Sequence, residues 1–243
     1  MKGRLLSAFA GMAAMMSSAT GWAQDKLPDP AADWDHLWFE ILVDLFVIGG
    51  IFAVAAAIML IKYKAKSPDA VGNGPRLTKV QALAWAFIPA TIFMADDFFL
   101  AAKGWTLWNT YRTVPENAME IKVTGSMWNW EFEYPDGTTS TYYPDEATEA
   151  DKGDGLVVPV GRAVVLRMTS TDVIHSFGMA NYRVKEDLMP GRITYIWFNP
   201  KEVKNSFVTC TEFCGTNHSR MYAPVKAIAP AKFKEWLKKQ ADA

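Results

Sequence analysis

Two apolar runs near the start of the chain limit its architecture more than any other feature. Residues 37–61 (LWFEILVDLFVIGGIFAVAAAIMLI) and 80–102 (VQALAWAFIPATIFMADDFFLAA) each exceed the ~20 residues that a membrane-spanning helix needs. The stretch between them, residues 62–79, carries Lys62, Lys64, Lys66, Arg76 and Lys79 against the single acid Asp69. Cytoplasmic loops concentrate lysine and arginine, so this loop is expected inside, with everything after residue 103 outside. Trp34, Trp38, Trp105 and Trp108 fall at the outer ends of both runs, where an aromatic belt belongs. The expectation is a transmembrane hairpin over 37–103 that carries an exported domain.

Residues 1–23 pair Lys2 and Arg4 with a short apolar stretch and then small residues up to Ala23. That pattern predicts an export signal cut after Ala23, leaving an outer segment at 24–36. A net charge of −1 over 243 residues argues against a nucleic-acid binder, because no excess of cations is present to neutralise phosphates. Glu40, Asp44, Asp96 and Asp97 interrupt the two runs. At 1.5 Å per residue, Asp96 lies roughly 24 Å from the cytoplasmic side. These acids are therefore expected near the outer interface, facing water or a partner subunit, and a larger membrane partner is implied.

After a linker at 104–116 the pattern changes to short strands separated by turns. MEIKVTGSMWNWEFEYPDG, GLVVPVGRAVVLRMTSTD, RITYIWFNP, NSFVTC and APVKAIAP predict an all-β sandwich or Greek-key barrel over 117–230. PAKFKEWLKKQ predicts a closing amphipathic helix over 231–243, with Phe233, Trp236 and Leu237 on one side.

The chemistry concentrates in CTEFCGTNHSRM, residues 210–221, which holds both cysteines, one of the three histidines and a methionine. Two cysteines in an exported domain ordinarily pair as a disulfide. A disulfide, however, needs neither the histidine four residues after Cys214 nor the methionine three after that. Zinc rarely uses this spacing, and methionine is a poor zinc ligand. Thiolate, imidazole and thioether together favour copper. A mononuclear blue-copper loop would leave Cys214 surplus, whereas two thiolates can bridge two copper ions, with His218 and His175 as terminal nitrogens. His36, at the mouth of the first helix, is remote from this set.

The loop resembles the binuclear copper A loop of cytochrome c oxidase subunit II, Cys-x-Glu-x-Cys-Gly-x-x-His-x-x-Met. DVIHSF with VKEDLMPGR, MWNWEFEY and WAFIPA resemble three further segments of that family, in the same order. The resemblance implies a transmembrane α-helical hairpin followed by an all-β cupredoxin-like Greek-key sandwich. It implies Cys210 and Cys214 as bridging copper ligands, His175 and His218 as terminal ligands, Met221 as the weak ligand of one copper and the Glu212 carbonyl as that of the other. The Glu212 side chain would help bind magnesium at the interface with the catalytic subunit, and Trp128 would be where electrons enter from cytochrome c. Asp172, Lys185, Asp187 and Arg192 would take supporting and interface roles.

The implied partners are a heme-bearing catalytic subunit, subunit III and cytochrome c, in a bacterial inner membrane with the copper domain on the periplasmic side. Two positions depart from the family: Ala82 replaces the usual glutamate three residues before Trp85, and Met127 stands where glutamine is common. The first departure keeps a heme-copper nitric oxide reductase as an alternative complex. A copper-storage or delivery protein is the contrasting class, but it needs no charged helical hairpin. Between residues 136 and 154, Asp136, Asp145, Glu146, Glu149, Asp151 and Asp154 oppose only Lys152. Such a stretch could steer a basic cytochrome.

Overall fold

The computed structural model describes residues 27–72, 74, 76–144 and 152–242. The export signal at 1–23 and the acids Asp145, Glu146, Glu149 and Asp151 lie outside the described residues. The chain divides into two compact units, one spanning Ala32–Asn109 and the other built mainly of Thr110–Ala243.

The first unit is the helical hairpin. Helix α1 (Pro30–Lys62) and helix α2 (Lys79–Arg112) are each long and apolar enough to cross a membrane. Their apolar side chains point outward: Phe46, Leu60 and Trp85 are 74%, 75% and 74% exposed. That is the inverse of a water-soluble fold and suits a hydrocarbon surround.

Thr78 and Gln81 fix the start of α2 as a reciprocal capping box. The Gln81 side chain accepts from the Thr78 amide at 3.0 Å, and the Gln81 amide donates to the Thr78 hydroxyl at 3.3 Å. α2 extends through Arg112, well into the stretch read from sequence as a linker, because nothing in WTLWNTYR breaks a helix until Pro115 restricts its predecessor. The structure also revises the reading of Glu40. Its Oε1 accepts a hydrogen bond from Lys103 of α2, and His36 Nε2 lies 3.5 Å away, so one oxygen of the carboxylate is paired inside the hairpin.

The second unit is a β-sandwich of two five-stranded sheets, in the orders β3-β2-β1-β5-β8 and β4-β10-β9-β6-β7. The strands are β1 (Met119–Ser126), β2 (Asn129–Glu133), β3 (Thr139–Tyr142), β4 (Leu156–Pro159), β5 (Val164–Ser170), β6 (His175–Met179), β7 (Val184–Leu188), β8 (Thr194–Phe198), β9 (Lys204–Cys210) and β10 (Tyr222–Ile228). The chain passes repeatedly between the sheets, as a Greek key requires.

Strict alternation in β1 and β10 turns Ile121, Val123, Val225 and Ala227 inward. Trp130, Phe132, Leu166, Met168, Phe177 and Val208 fill the remaining core. Each fully buried side chain of this size contributes about 1.5–3 kcal/mol relative to exposure. Strands β6 and β7 were not legible as strands. All five residues of β6 are buried, so no period of two marks it. Helix α3 (Pro230–Ala241) closes the unit, with Phe233 buried and stacked on Trp236, both against Tyr134.

Candidate metal centre

β9 delivers Cys210 to the rim of the sandwich, and β10 begins just after Met221. The intervening loop is closed at its base by the Cys210 amide donating to the Met221 carbonyl at 2.9 Å. It is tied to β6 by the Thr211 amide on the Ser176 carbonyl, also at 2.9 Å. Gly215 takes a φ of 118°, a conformation that side chains rarely adopt, and a short 3-10 turn at His218–Arg220 returns the chain to β10.

These constraints bring the donor atoms together. Cys210 Sγ lies 3.7 Å from Cys214 Sγ and 3.2 Å from the Glu212 carbonyl. Cys214 Sγ lies 3.5 Å from His218 Nδ1 and 3.8 Å from Met221 Sδ. Both thiols are free and buried, far from the ~2.05 Å of a disulfide. The disulfide alternative is therefore not what this geometry holds.

His175 opens β6 from the opposite side of the cluster, with its side chain fully buried and Nδ1 3.9 Å from Cys210 Sγ. Its Nε2 lies 2.9 Å from Asp172 Oδ1. A proton on Nε2 donated to that carboxylate leaves Nδ1 with its lone pair towards the thiols. A carboxylate behind a ligating imidazole fixes its tautomer and orientation in this way. Asp172 also accepts from the amides of Met127 at 2.7 Å and Val173 at 2.6 Å. Partial burial raises the Asp172 pKa, but the bonds from His175 and the two amides outweigh it, and the group is held below the ordinary value.

Burial likewise raises both thiols. At Cys210 it is outweighed by His175 and nearby backbone groups, so this thiol ionises more readily than usual. The bond and charge of Cys210 add to burial at Cys214 and hold that proton more tightly. His175, Cys210 and Cys214 bring their ligand atoms within 4.8 Å of one another. With two cysteine sulfurs, imidazoles, a thioether and a carbonyl converging, the donor set fits soft, thiophilic copper.

The structure separates the two tryptophans of the aromatic stretch. Trp130 is fully buried, edge-on to Phe177 at 5.1 Å and to His175 at 6.0 Å. Trp128 is half-buried, and its Nε1 donates to the Cys214 carbonyl at 3.2 Å, so it bridges the donor loop and solvent. The Glu212 side chain is exposed, as is Phe213 beside it.

Other candidate residues fall outside this cluster. Asp136 sits at a turn, where its side chain accepts from the Thr138 amide at 3.0 Å. Asp154 is not a free steering charge. It accepts from Lys226 Nζ at 2.8 Å, Trp236 Nε1 at 2.8 Å and Gln240 Nε2 at 2.9 Å, which ties α3 to the sandwich. The dual role of Asp172 was only partly visible in the sequence. A carboxylate three residues before a candidate ligand was the available signal, but the bond to Met127 spans 45 positions.

A β-sandwich with a soft-donor cluster at its rim, preceded by two helices long and apolar enough to cross a membrane, defines the class: a membrane protein that carries a candidate metal-binding sandwich domain. Residues 119–228 match the family model for the periplasmic domain of cytochrome c oxidase subunit II. Cytochrome c oxidase subunit 2 of Metridium senile is 31% identical over 172 residues, covering 66% of this chain and 68% of that protein. The alternative cytochrome c oxidase subunit 2 of Bradyrhizobium diazoefficiens is 26% identical over 232 residues, covering 86% and 82%. The crystallised periplasmic domain of subunit II of cytochrome oxidase from Bradyrhizobium japonicum is 30% identical, covering 54% of this chain and 98% of that domain with a TM-score of 0.48. The chain belongs to the cytochrome c oxidase subunit II family.

Proposed function

We propose that this chain is the electron-accepting subunit of a cytochrome c oxidase in a bacterial inner membrane. It would take electrons from cytochrome c at a binuclear copper centre and pass them to the heme of the catalytic subunit, for oxygen reduction coupled to proton translocation. The observation that carries the reading is the convergence of Cys210 Sγ, Cys214 Sγ, His175 Nδ1, His218 Nδ1, Met221 Sδ and the Glu212 carbonyl, with neighbouring atoms 3.2–3.9 Å apart. Cys210 and Cys214 would bridge the ions, the two imidazoles would each complete one, and Met221 and the Glu212 carbonyl would be the weak ligands. When bound, the copper would supply a one-electron redox couple.

The protein's own part is to hold these donors still. β6, β9 and β10 fix the ligand-bearing segments, and Asp172 orients His175. The apolar shell, with Trp130, Phe177 and Leu188 all fully buried, keeps water away from the ligands and sets their dielectric. Trp128 is the position where electrons would arrive, because its indole joins the partly exposed surface to the Cys214 carbonyl. Glu212 presents an exposed carboxylate that could share a magnesium ion with the catalytic subunit. The acids at 145, 146 and 149, with Asp136, would attract a basic cytochrome, and subunit III would complete the complex. The relatives described above are oxidase subunits, which does not favour a nitric oxide reductase.

Metal analysis and paramagnetic resonance of the purified chain test the reading. Two copper ions per chain sharing one unpaired electron are expected. One ion with a four-line spectrum, or none with the thiols joined, would overturn it. Copurification of a heme protein that reduces oxygen is the matching test of the complex.

A further inference from the structure

We infer that Gly125 is a positioning residue for His175: the missing side chain on the facing sheet sets where the imidazole stands relative to Cys210. The inference rests on the copper-site reading above. Gly125 lies in β1, on the sheet opposite the strands that carry His175 and Cys210. It is a buried, inward-facing position whose cross-strand partner is Trp130. A Cβ built there would meet three side chains at once, His175 Cδ2, Leu188 Cδ2 and Trp130 Cζ3, each at 3.2 Å. Relaxed carbon–carbon contacts lie at about 3.5–4.0 Å, so at least one of the three must give by a few tenths of an ångström.

The three neighbours do not yield equally. Trp130 is wedged edge-on against Phe177 in the centre of the core. Leu188 is fully buried and stands across from His175 in the β6–β7 register. His175 is the first residue of β6 and follows the exposed residues Val173 and Ile174. Its ring is anchored by the contact from Nε2 to Asp172. The crowded atom, Cδ2, shares Cγ with Nδ1 on the opposite flank of the ring. Pressure on Cδ2 that the end of the Leu188 side chain does not take up turns the imidazole and moves Nδ1 relative to Cys210 Sγ.

Gly125 also holds the neighbouring loop, since its carbonyl accepts from the Thr171 amide at 3.1 Å, next to Asp172. The segment is thus held close to His175 from two directions, and any side chain at position 125 crowds the ring. Packed interiors transmit such small displacements rather than absorbing them.

The test compares the full chain in detergent micelles with Gly125→Ala, and Leu188→Val with Gly125→Ala/Leu188→Val. The second pair keeps the experiment decisive where the single variant is too crowded to fold, because trimming Leu188 removes one of the three contacts. Two signals are read. The first is the ring-nitrogen resonance of His175 in the copper-free chain, resolvable because the chain has three histidines. The second is copper affinity with the visible spectrum of the loaded chain.

Gly125→Ala should shift the His175 nitrogen resonances and lower copper affinity on the order of 10–100-fold, the range seen when groups supporting a ligand are disturbed. Unchanged resonances, affinity and spectrum in the folded variant would overturn the role of Gly125. Failure of the copper reading is distinguishable, because it appears in the parent chain as missing copper, with glycine still in place.

Discussion

Two clusters of polar side chains lie along β10, and they differ in what their atoms lack. Around Asp154, one carboxylate receives Lys226, Trp236 and Gln240. Donors and acceptor match, and what the cluster does is hold α3 down. Around Cys210, two thiols, two imidazole nitrogens, a thioether and a carbonyl face one another at 3.2–3.9 Å. Sulfur is a weak hydrogen-bonding partner, so these lone pairs are gathered without being well satisfied by protein. A cluster whose atoms satisfy one another is part of the scaffold; one whose soft lone pairs converge is prepared for a metal.

The contrast makes Cys214→Ser the most damaging change to function and one of the mildest to folding. It should abolish the copper-pair signal while thermal unfolding of the sandwich moves little. Were the cysteines serving as a disulfide, the same change would cost about 2–4 kcal/mol of stability. Copper content and a melting curve measured on one preparation separate the two outcomes.

Asp172→Ala is the next largest. It removes the acceptor behind His175 and the tie to the Met127 amide together. Copper affinity should fall on the order of 10–100-fold, with the signal altered rather than lost.

Asp154→Ala should reverse that pattern. It leaves Lys226, Trp236 and Gln240 without their acceptor and should cost about 2 kcal/mol of stability, a typical figure for charged hydrogen bonds lost from a partly buried site. The copper signal should be unchanged. Burial raises the Asp154 pKa, but its bonds to Lys226 and Trp236 outweigh this, and the folded value is depressed. Its stabilisation is therefore complete above the unfolded aspartate value of ~3.9 and is lost as pH falls through the lower folded value. Hydrogen exchange in α3 should show that acid-side loss in the parent chain and not in the variant.

The smallest effects belong to the surface. Trp128→Phe should slow electron arrival while leaving cytochrome binding nearly intact, because it removes the indole bond to Cys214 and no charge. Neutralising Asp145, Glu146 and Glu149 together should do the opposite, lowering the association rate and flattening its salt dependence. The Debye length falls from ~30 Å at 0.01 M to ~8 Å at 0.15 M salt, which screens long-range attraction. A salt profile unchanged by the triple substitution would leave those acids as an ordinary solvated loop.

Much of the molecule was written locally. The two membrane-capable helices follow from unbroken apolar runs, because a chain crossing hydrocarbon must satisfy its backbone within the segment. The alternation of β1, β2 and β10 follows from a period of two with one face buried. The motif from Cys210 to Met221 is contiguous, so its residue types and spacing were readable without a fold.

Other features depend on distances no linear pattern carries. Glu40 looked like a group awaiting a partner, but Lys103 of its own hairpin meets it. Asp154 looked like one more acid in a run until α3 closed over it. β6 gave no alternation because both of its faces are covered. His175 stands where a Cβ on Gly125, on the other sheet, would come within 3.2 Å of its ring. Sequence determines which groups are present and their local periodicity; tertiary structure decides which charges are already answered and how closely two sheets let a ligand stand, because both are contacts between residues remote along the chain.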